Sequence, residues 1–176
     1  YVYEWRDRME GGGYDPFIDG NDKQIFVHQL SQTEQWLYEG DDSDEIHSKS
    51  VYEEKMNSLK QSFSNGILYR EREVTNRNSY LEQLGQRIQQ ARKLLEGGDA
   101  NEEGETLKKL ENEVIEKQKF LDEAYGLLNQ SLTHLDPPVT TEQIKQQSDA
   151  LESVLRNIYY ERQRRLEAKK KEEEER

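Results

Sequence analysis

Apolar residues recur at every third or fourth position along most of the chain, a spacing that predicts amphipathic helices. The first run occupies residues 1–10 and stops at the three glycines that begin with Gly11. A second run is predicted from about residue 22 to residue 38, and a third starts near Ser48. The alternation typical of strands does not stand out anywhere in the sequence. The pattern therefore predicts an all-α protein.

The same spacing returns in the second half of the chain. It runs through residues 81–95 up to a glycine pair, then through a heptad-like seam over residues 107–128, and last through residues 144–158. Pro137 and Pro138 separate the last two runs, because proline lacks a backbone donor and restricts the residue before it. Helical segments are therefore expected over each of these three runs.

The bounds of some helices stay open at this stage. Residues 69–79 are polar and weakly periodic, which suits either one long helix or a loop, and Asn76 and Asn78 favour a break. Gly66 is expected to kink or end the third helix. Thr140, followed three residues later by glutamine, matches a capping box and marks the start of the last helix.

Composition limits how much core this chain can bury. It carries 35% charged and 32% hydrophobic residues, a balance that suits helices with one apolar stripe each. We expect a helical bundle over residues 1–98, a helical extension over 99–160 and a charged tail or helix end over 161–176. The expected core anchors are two tryptophans and three aliphatic residues of the stripes: Trp5, Trp36, Leu37, Leu84 and Ile88.

Both ends of the chain suggest a segment of a longer protein. Tyr1 lies directly inside an apolar-periodic run with no capping residue ahead of it, and Arg176 lies within a run of charges. We therefore expect further sequence on either side.

Charge and residue types narrow the functional class. The net charge of −12 argues against a nucleic-acid partner, since phosphates would repel it. The sequence has no apolar run long enough to span a membrane and no visible signal peptide. It also lacks cysteine, a nucleophile elbow and a phosphate-binding loop. An enzyme and a bound cofactor are therefore not expected.

Candidate metal ligands are scattered. His28, His47 and His134 are far apart, and none has a second histidine at helical spacing, so no metal site is expected from them. The acidic run over residues 41–45 lacks the central glycine and distant glutamate of a calcium loop. This run is interpreted as a solvated acidic loop.

Aromatic residues near the start of the chain allow two interpretations, a partner surface or ordinary bundle core. These residues are Tyr1, Tyr3, Trp5, Trp36 and Tyr38. Core is favoured for the tryptophans, whereas each tyrosine carries a hydroxyl that prefers water or a hydrogen-bond partner.

Three strings carry a resemblance to a known family: YVYEWRDRM at residues 1–9, TEQWLYEG at residues 33–40 and LEQLGQRIQQ at residues 81–90. A late Leu-x-x-Asp-Pro-x-Val-like segment follows, starting at Leu132 or Leu135. Together they resemble the C-terminal lid of the large, hundred-and-ten-kilodalton branch of the heat-shock chaperones. The resemblance implies a three-helix-type lid bundle followed by a C-terminal helical extension. It also implies that the family's ATPase domain and peptide-holding β-sandwich lie outside this chain.

The resemblance further implies a function in the cytoplasm during the stress response. The parent protein would hold unfolded client polypeptides and act as nucleotide-exchange factor on the nucleotide-binding domain of a seventy-kilodalton heat-shock partner. By position in the family, the contacts to that partner fall on Ser31 and Glu34, although some relatives carry asparagine in place of Ser31. The alternative is a structural coiled-coil or helical-bundle interaction module, motivated by the seams over residues 107–128 and 144–158.

Overall fold

The computed structural model describes residues 1–42, 47–97 and 104–175. These residues form six α-helices and no strand, which confirms the all-α prediction. A short 3-10 turn, Asp15–Phe17, follows the first helix, and a π-helical turn, Lys60–Ser64, follows the third. The six helices are α1 (Val2–Gly11), α2 (Gly20–Asp42), α3 (Lys49–Leu59), α4 (Asn65–Glu96), α5 (Gly104–Gln130) and α6 (Thr141–Glu174).

Local sequence signals fix several helix ends. Helix α1 ends where Gly12 adopts a left-handed backbone with φ of 74°, a conformation that glycine enters without steric cost. Helix α6 begins with the predicted capping box, in which Thr140 and Gln143 satisfy each other's backbone N–H groups. The charged run after residue 160 continues α6 as helix to Glu174. The predicted loop over residues 98–104 lies mostly outside the described residues.

Helix α4 runs unbroken through residues 69–79, so the expected break at Asn76 and Asn78 is wrong. Gly66 does not end a helix either, because it lies within the first turn of α4. In a helix interior, asparagine is less favourable than residues of higher helix propensity by only a few tenths of a kcal/mol. Burial of Ile67 and Leu81 on either side is worth roughly 1.5–3 kcal/mol each, so packing outweighs this local preference.

The chain divides into two compact units, each with its own core. Unit 1 comprises Tyr1–Thr75 and Ser131–Pro138, and unit 2 comprises the described parts of 76–130 and 139–176. The division falls inside α4, because the two halves of this helix bury their apolar stripes in different cores. The predicted domain bounds at residues 98 and 160 stay predictions.

Rings build the core of unit 1. The Trp5 ring lies 5.8 Å from that of Phe26, which in turn stacks on Phe63 at 4.8 Å between centroids. Such contacts between aromatic rings stabilise a core beyond the area that they bury. They join α1, α2 and the π-helical turn, and Leu37 packs against the same cluster. The buried members are Val2, Trp5, Met9, Ile18, Phe26, Leu30, Leu59 and Ile67.

Residues 131–138 are tied to the rest of unit 1 by polar contacts. Thr133 Oγ1 donates a hydrogen bond to Pro16 O at 2.5 Å. The Arg70 guanidinium donates to Phe17 O at 2.8 Å and lies 3.5 Å from Asp136 Oδ1. A hydrogen bond from a charged donor to a backbone carbonyl is stronger than one between two neutral groups. Arg70 therefore fastens this segment and the 3-10 turn to α4.

Aliphatic side chains of α4, α5 and α6 form the core of unit 2. Leu84 and Ile88 are fully buried in it, together with the seams predicted over residues 107–128 and 144–158. Lys117 is also buried on the α5 seam, where Nζ lies 3.4 Å from Glu113 Oε2. The buried members are Leu81, Leu84, Ile88, Ala91, Leu94, Leu110, Val114, Leu121, Ala124, Leu128, Val139, Ile144, Leu151, Leu155 and Ile158.

Trp36 departs from the expectation that it is a core anchor. It is only partly buried and is not part of the unit 1 cluster. Successive helix residues point about 100° apart, so Leu37 takes the core side of α2 and Trp36 turns towards α3. There it stacks on His47 at 4.9 Å and meets Tyr52 at 5.3 Å, with Lys55 Nζ 4.4 Å from its ring centroid.

The two tryptophans should therefore differ in their contribution to stability. Trp5→Ala removes a buried ring and is expected to lower the free energy of unfolding by about 3–5 kcal/mol. Trp36→Ala removes a partly buried ring and should cost roughly 1–2 kcal/mol. Chemical denaturation of both variants and the parent chain checks this, and equal losses would contradict the difference in burial.

Candidate partner-contact face

Helices α1 and α2 pack together, and their solvent side carries the predicted contact residues. Tyr3 on α1 meets Tyr38 on α2, and Arg6 meets Glu34 one turn further along. Rising numbers on one helix pair with falling numbers on the other, so the two helices are antiparallel. We call the exposed and partly buried residues along this side, Tyr3, Arg6, Ser31, Glu34 and Tyr38, the α1–α2 face.

Glu34 forms an ion pair with Arg6 within the chain. Arg6 Nη1 donates to Glu34 Oε2, and the side chains retain 35% and 16% of their exposure, respectively. The guanidinium carbon of Arg6 also lies 5.9 Å from the centre of the Tyr3 ring. A carboxylate that is this far buried needs such a partner, because burial of an unpaired charge is costly. The Glu34 carboxylate is therefore held in position by Arg6 and is not freely solvated.

Ser31 is exposed on the same side of α2, three residues before Glu34. Its Oγ donates a hydrogen bond to Val27 O at 3.0 Å, one turn earlier in the helix. Because that bond uses the hydroxyl proton, what Ser31 can still offer to a partner is the acceptor side of its oxygen.

The hydroxyls of Tyr3 and Tyr38 form the outer end of the face. Tyr3 Oη donates to Tyr38 Oη at 3.2 Å, although about half of each side chain remains exposed. This donated bond favours the neutral phenol, so the hydrogen bond to Tyr38 raises the pKa of Tyr3 above its ordinary value. Of the two interpretations that the sequence left open for the tyrosines, this pair lies at the surface with its hydroxyls bonded to each other.

The family resemblance pointed to Ser31 and Glu34 as contacts, which stays a prediction, and the aromatic pattern named Tyr3 and Tyr38 as possible surface residues. Neither Arg6 nor the two pairings was predicted, because Arg6 and Tyr3 lie 28 and 35 positions from their partners and no local pattern connects them. The available signal was weak: Tyr3 and Arg6 are three apart, so they share a side of α1 that the apolar stripe leaves free.

The remaining candidate chemistry is not gathered into a site. Within residues 1–42, 47–97 and 104–175 there is no group of three or more side chains suited to hold a metal ion. His47 stacks on Trp36 instead of joining His28 or His134. Among the same residues, no helix combines the length and apolar character needed to cross a membrane.

Comparisons with known proteins agree on one class. The chain is 30% identical over 151 residues to human Heat shock 70 kDa protein 4, an alignment that covers 82% of the chain. It is 33% identical to the 97 kDa heat shock protein of Strongylocentrotus purpuratus and 32% identical to Heat shock protein 110 of Caenorhabditis elegans, over 88% and 90% of the chain. The chain spans only 17–20% of the length of these relatives.

No protein-family profile matches the chain, and no solved structure matches it. An all-α chain that aligns along most of its length with three heat-shock proteins is a helical segment of that class. Within the class, the chain belongs to the family of the large heat-shock chaperones, which confirms the resemblance seen in residues 1–9 and 33–40.

The tyrosine pair generates a prediction at alkaline pH. Because the pKa of Tyr3 is raised in the folded chain, its contribution to stability is present below the ordinary tyrosine pKa of about 10 and is lost as pH rises through the folded value. Tyr38→Phe removes the acceptor and should return the ionisation of Tyr3 towards that ordinary value. Residue-resolved NMR titration measures this, and an unchanged titration of Tyr3 would contradict the assigned bond.

Proposed function

We propose that this chain is the lid of a large heat-shock chaperone and that it docks on the nucleotide-binding domain of a seventy-kilodalton heat-shock partner. Docking would hold that domain open and let its bound ADP leave, so the parent protein would act as a nucleotide-exchange factor. The chain would carry no ATPase activity of its own. The parent would work in the cytoplasm and keep unfolded client polypeptides soluble. The relationship to heat-shock proteins over most of the chain supports this proposal.

The α1–α2 face is the observation that carries the docking step. It presents a fixed carboxylate at Glu34 and an exposed hydroxyl oxygen at Ser31, three residues apart on one side of a helix. A lysine or arginine of the partner could form a charge-assisted hydrogen bond with Glu34, and a backbone or side-chain donor could reach Ser31. The rings of Tyr3 and Tyr38 add exposed aromatic area beside them, and tyrosine is enriched at protein interfaces.

The coiled-coil alternative loses its main support in unit 2. Its two motivating seams, over residues 107–128 and 144–158, bury their apolar members against each other and against α4. A seam that is already buried within one chain has no apolar stripe left for a second chain. The docking proposal is therefore favoured over an adaptor that pairs through these seams.

Glu34→Ala in the full-length protein should weaken docking without unfolding the bundle. Loss of one charge-assisted hydrogen bond costs about 1.5–3 kcal/mol of binding free energy. The protein concentration that gives half-maximal ADP release should therefore rise by about tenfold or more. The measurement is stopped-flow release of a fluorescent ADP analogue from the partner's nucleotide-binding domain.

Glu39→Ala provides the matched control, since Glu39 lies on the same helix but is bonded to Gln35 away from the face. It should leave the release rate unchanged. If Glu34→Ala behaves like this control, Glu34 is not the contact. If deletion of residues 1–98 from the full-length protein leaves ADP release unaltered, the docking function itself is wrong.

A further inference from the structure

Glu34 depends on a residue outside its own helix for its position. Its side chain retains 16% exposure, and its carboxylate accepts a hydrogen bond from Arg6. The cation that compensates its lost hydration is Arg6, which reaches across from α1. Without that cation, the free energy would be lower with the carboxylate rotated into solvent, because water would then replace the hydrogen bond from Arg6.

Arg6 is itself held in place by the α1–α2 face. Its guanidinium carbon lies 5.9 Å from the centre of the Tyr3 ring, and Tyr3 is anchored by its hydrogen bond to Tyr38. Arg8, two residues further on, turns elsewhere: it pairs with Glu4 on its own helix and lies over Trp5 at 4.8 Å. Of these two neighbouring arginines, only Arg6 is directed to Glu34.

The geometry leaves one carboxylate oxygen for another donor. Arg6 Nη1 takes Oε2, and a carboxylate has a second oxygen that accepts hydrogen bonds independently. An acceptor whose rotamer is already fixed loses less conformational entropy when a partner binds. One carboxylate can also bridge two cationic side chains, for example two arginines or an arginine and a lysine, because each of its oxygens accepts hydrogen bonds. Arg6 can therefore orient the Glu34 carboxylate and still leave Oε1 able to accept a hydrogen bond from a partner.

We propose that Arg6 is a positioning residue for docking: it holds the Glu34 carboxylate so that Oε1 faces a cationic side chain of the partner chaperone. This assignment rests on the proposed function and deepens it. The interface is then made by two helices, with α2 supplying the contact and α1 supplying its orientation. Arg6 acts through Glu34 and needs no contact of its own with the partner.

Arg6→Met tests the assignment in the full-length protein, because methionine keeps the aliphatic stem and removes the charge. With ADP release as the readout, Arg6→Met and Glu34→Gln should each raise the half-maximal concentration about tenfold. The double variant should be no worse than either single one, since both remove the same contact. Arg8→Met is the matched control and should stay within about twofold of the unmodified protein.

A reciprocal exchange, Arg6→Glu with Glu34→Arg, separates orientation from mere bundle stability. It restores the ion pair between the helices but presents the wrong charge to the partner. The melting temperature should therefore recover while ADP release stays impaired. Arg6→Lys, which keeps the charge without the planar fork, should recover part of the release activity and keeps the test usable if Arg6→Met fails to fold.

Several outcomes would overturn the assignment. It fails if Arg6→Met releases ADP normally, if the two single effects multiply in the double variant, or if the reciprocal exchange restores release. Normal release by Glu34→Gln, with an active unmodified protein, removes the assignment and leaves the docking function standing. An unmodified protein that does not accelerate release at all removes both.

Discussion

The ring cluster of Trp5, Phe26 and Phe63 is the interaction on which the rest of unit 1 depends. In it, α1, α2 and the π-helical turn pack aromatic side chains against one another. Aromatic rings of this kind carry most of the apolar area in a small core. Because this ring cluster fixes where α1 lies along α2, it also fixes which polar residues meet on the solvent side. The α1–α2 face is therefore a consequence of the core beneath it.

Helix α4 shows how one element can serve two cores. Its first part buries Ile67 with the rings of unit 1, and its later part buries Leu84 and Ile88 with α5 and α6. The intervening residues 69–79 need no apolar stripe of their own, since a helix propagates cheaply once both flanks are fixed. This explains why the sequence is polar and weakly periodic there while the backbone remains helical.

Local patterns predicted the helices well but could not predict which residues meet. Spacing by three and four located each apolar stripe, and glycine and capping signals located helix ends such as Gly12 and Thr140. The placement of Trp36 was wrong because two adjacent large residues compete for the core side of α2, and sequence alone does not choose between Trp36 and Leu37. The pairing of Arg6 with Glu34 spans 28 residues and depends on the register between two helices, which only packing determines.

Under the proposed docking, the α1–α2 face would let an acidic chain recognise a basic surface selectively. A net charge of −12 attracts any cationic partner over distances of about a Debye length, which speeds encounter but carries little specificity. Specificity requires a group held at one position, and most of the carboxylate side chains in the described residues are exposed. Glu34 differs because Arg6 holds it and burial limits its freedom. The abundant charge would then bring the partner close, and the constrained Glu34 carboxylate would decide how it docks.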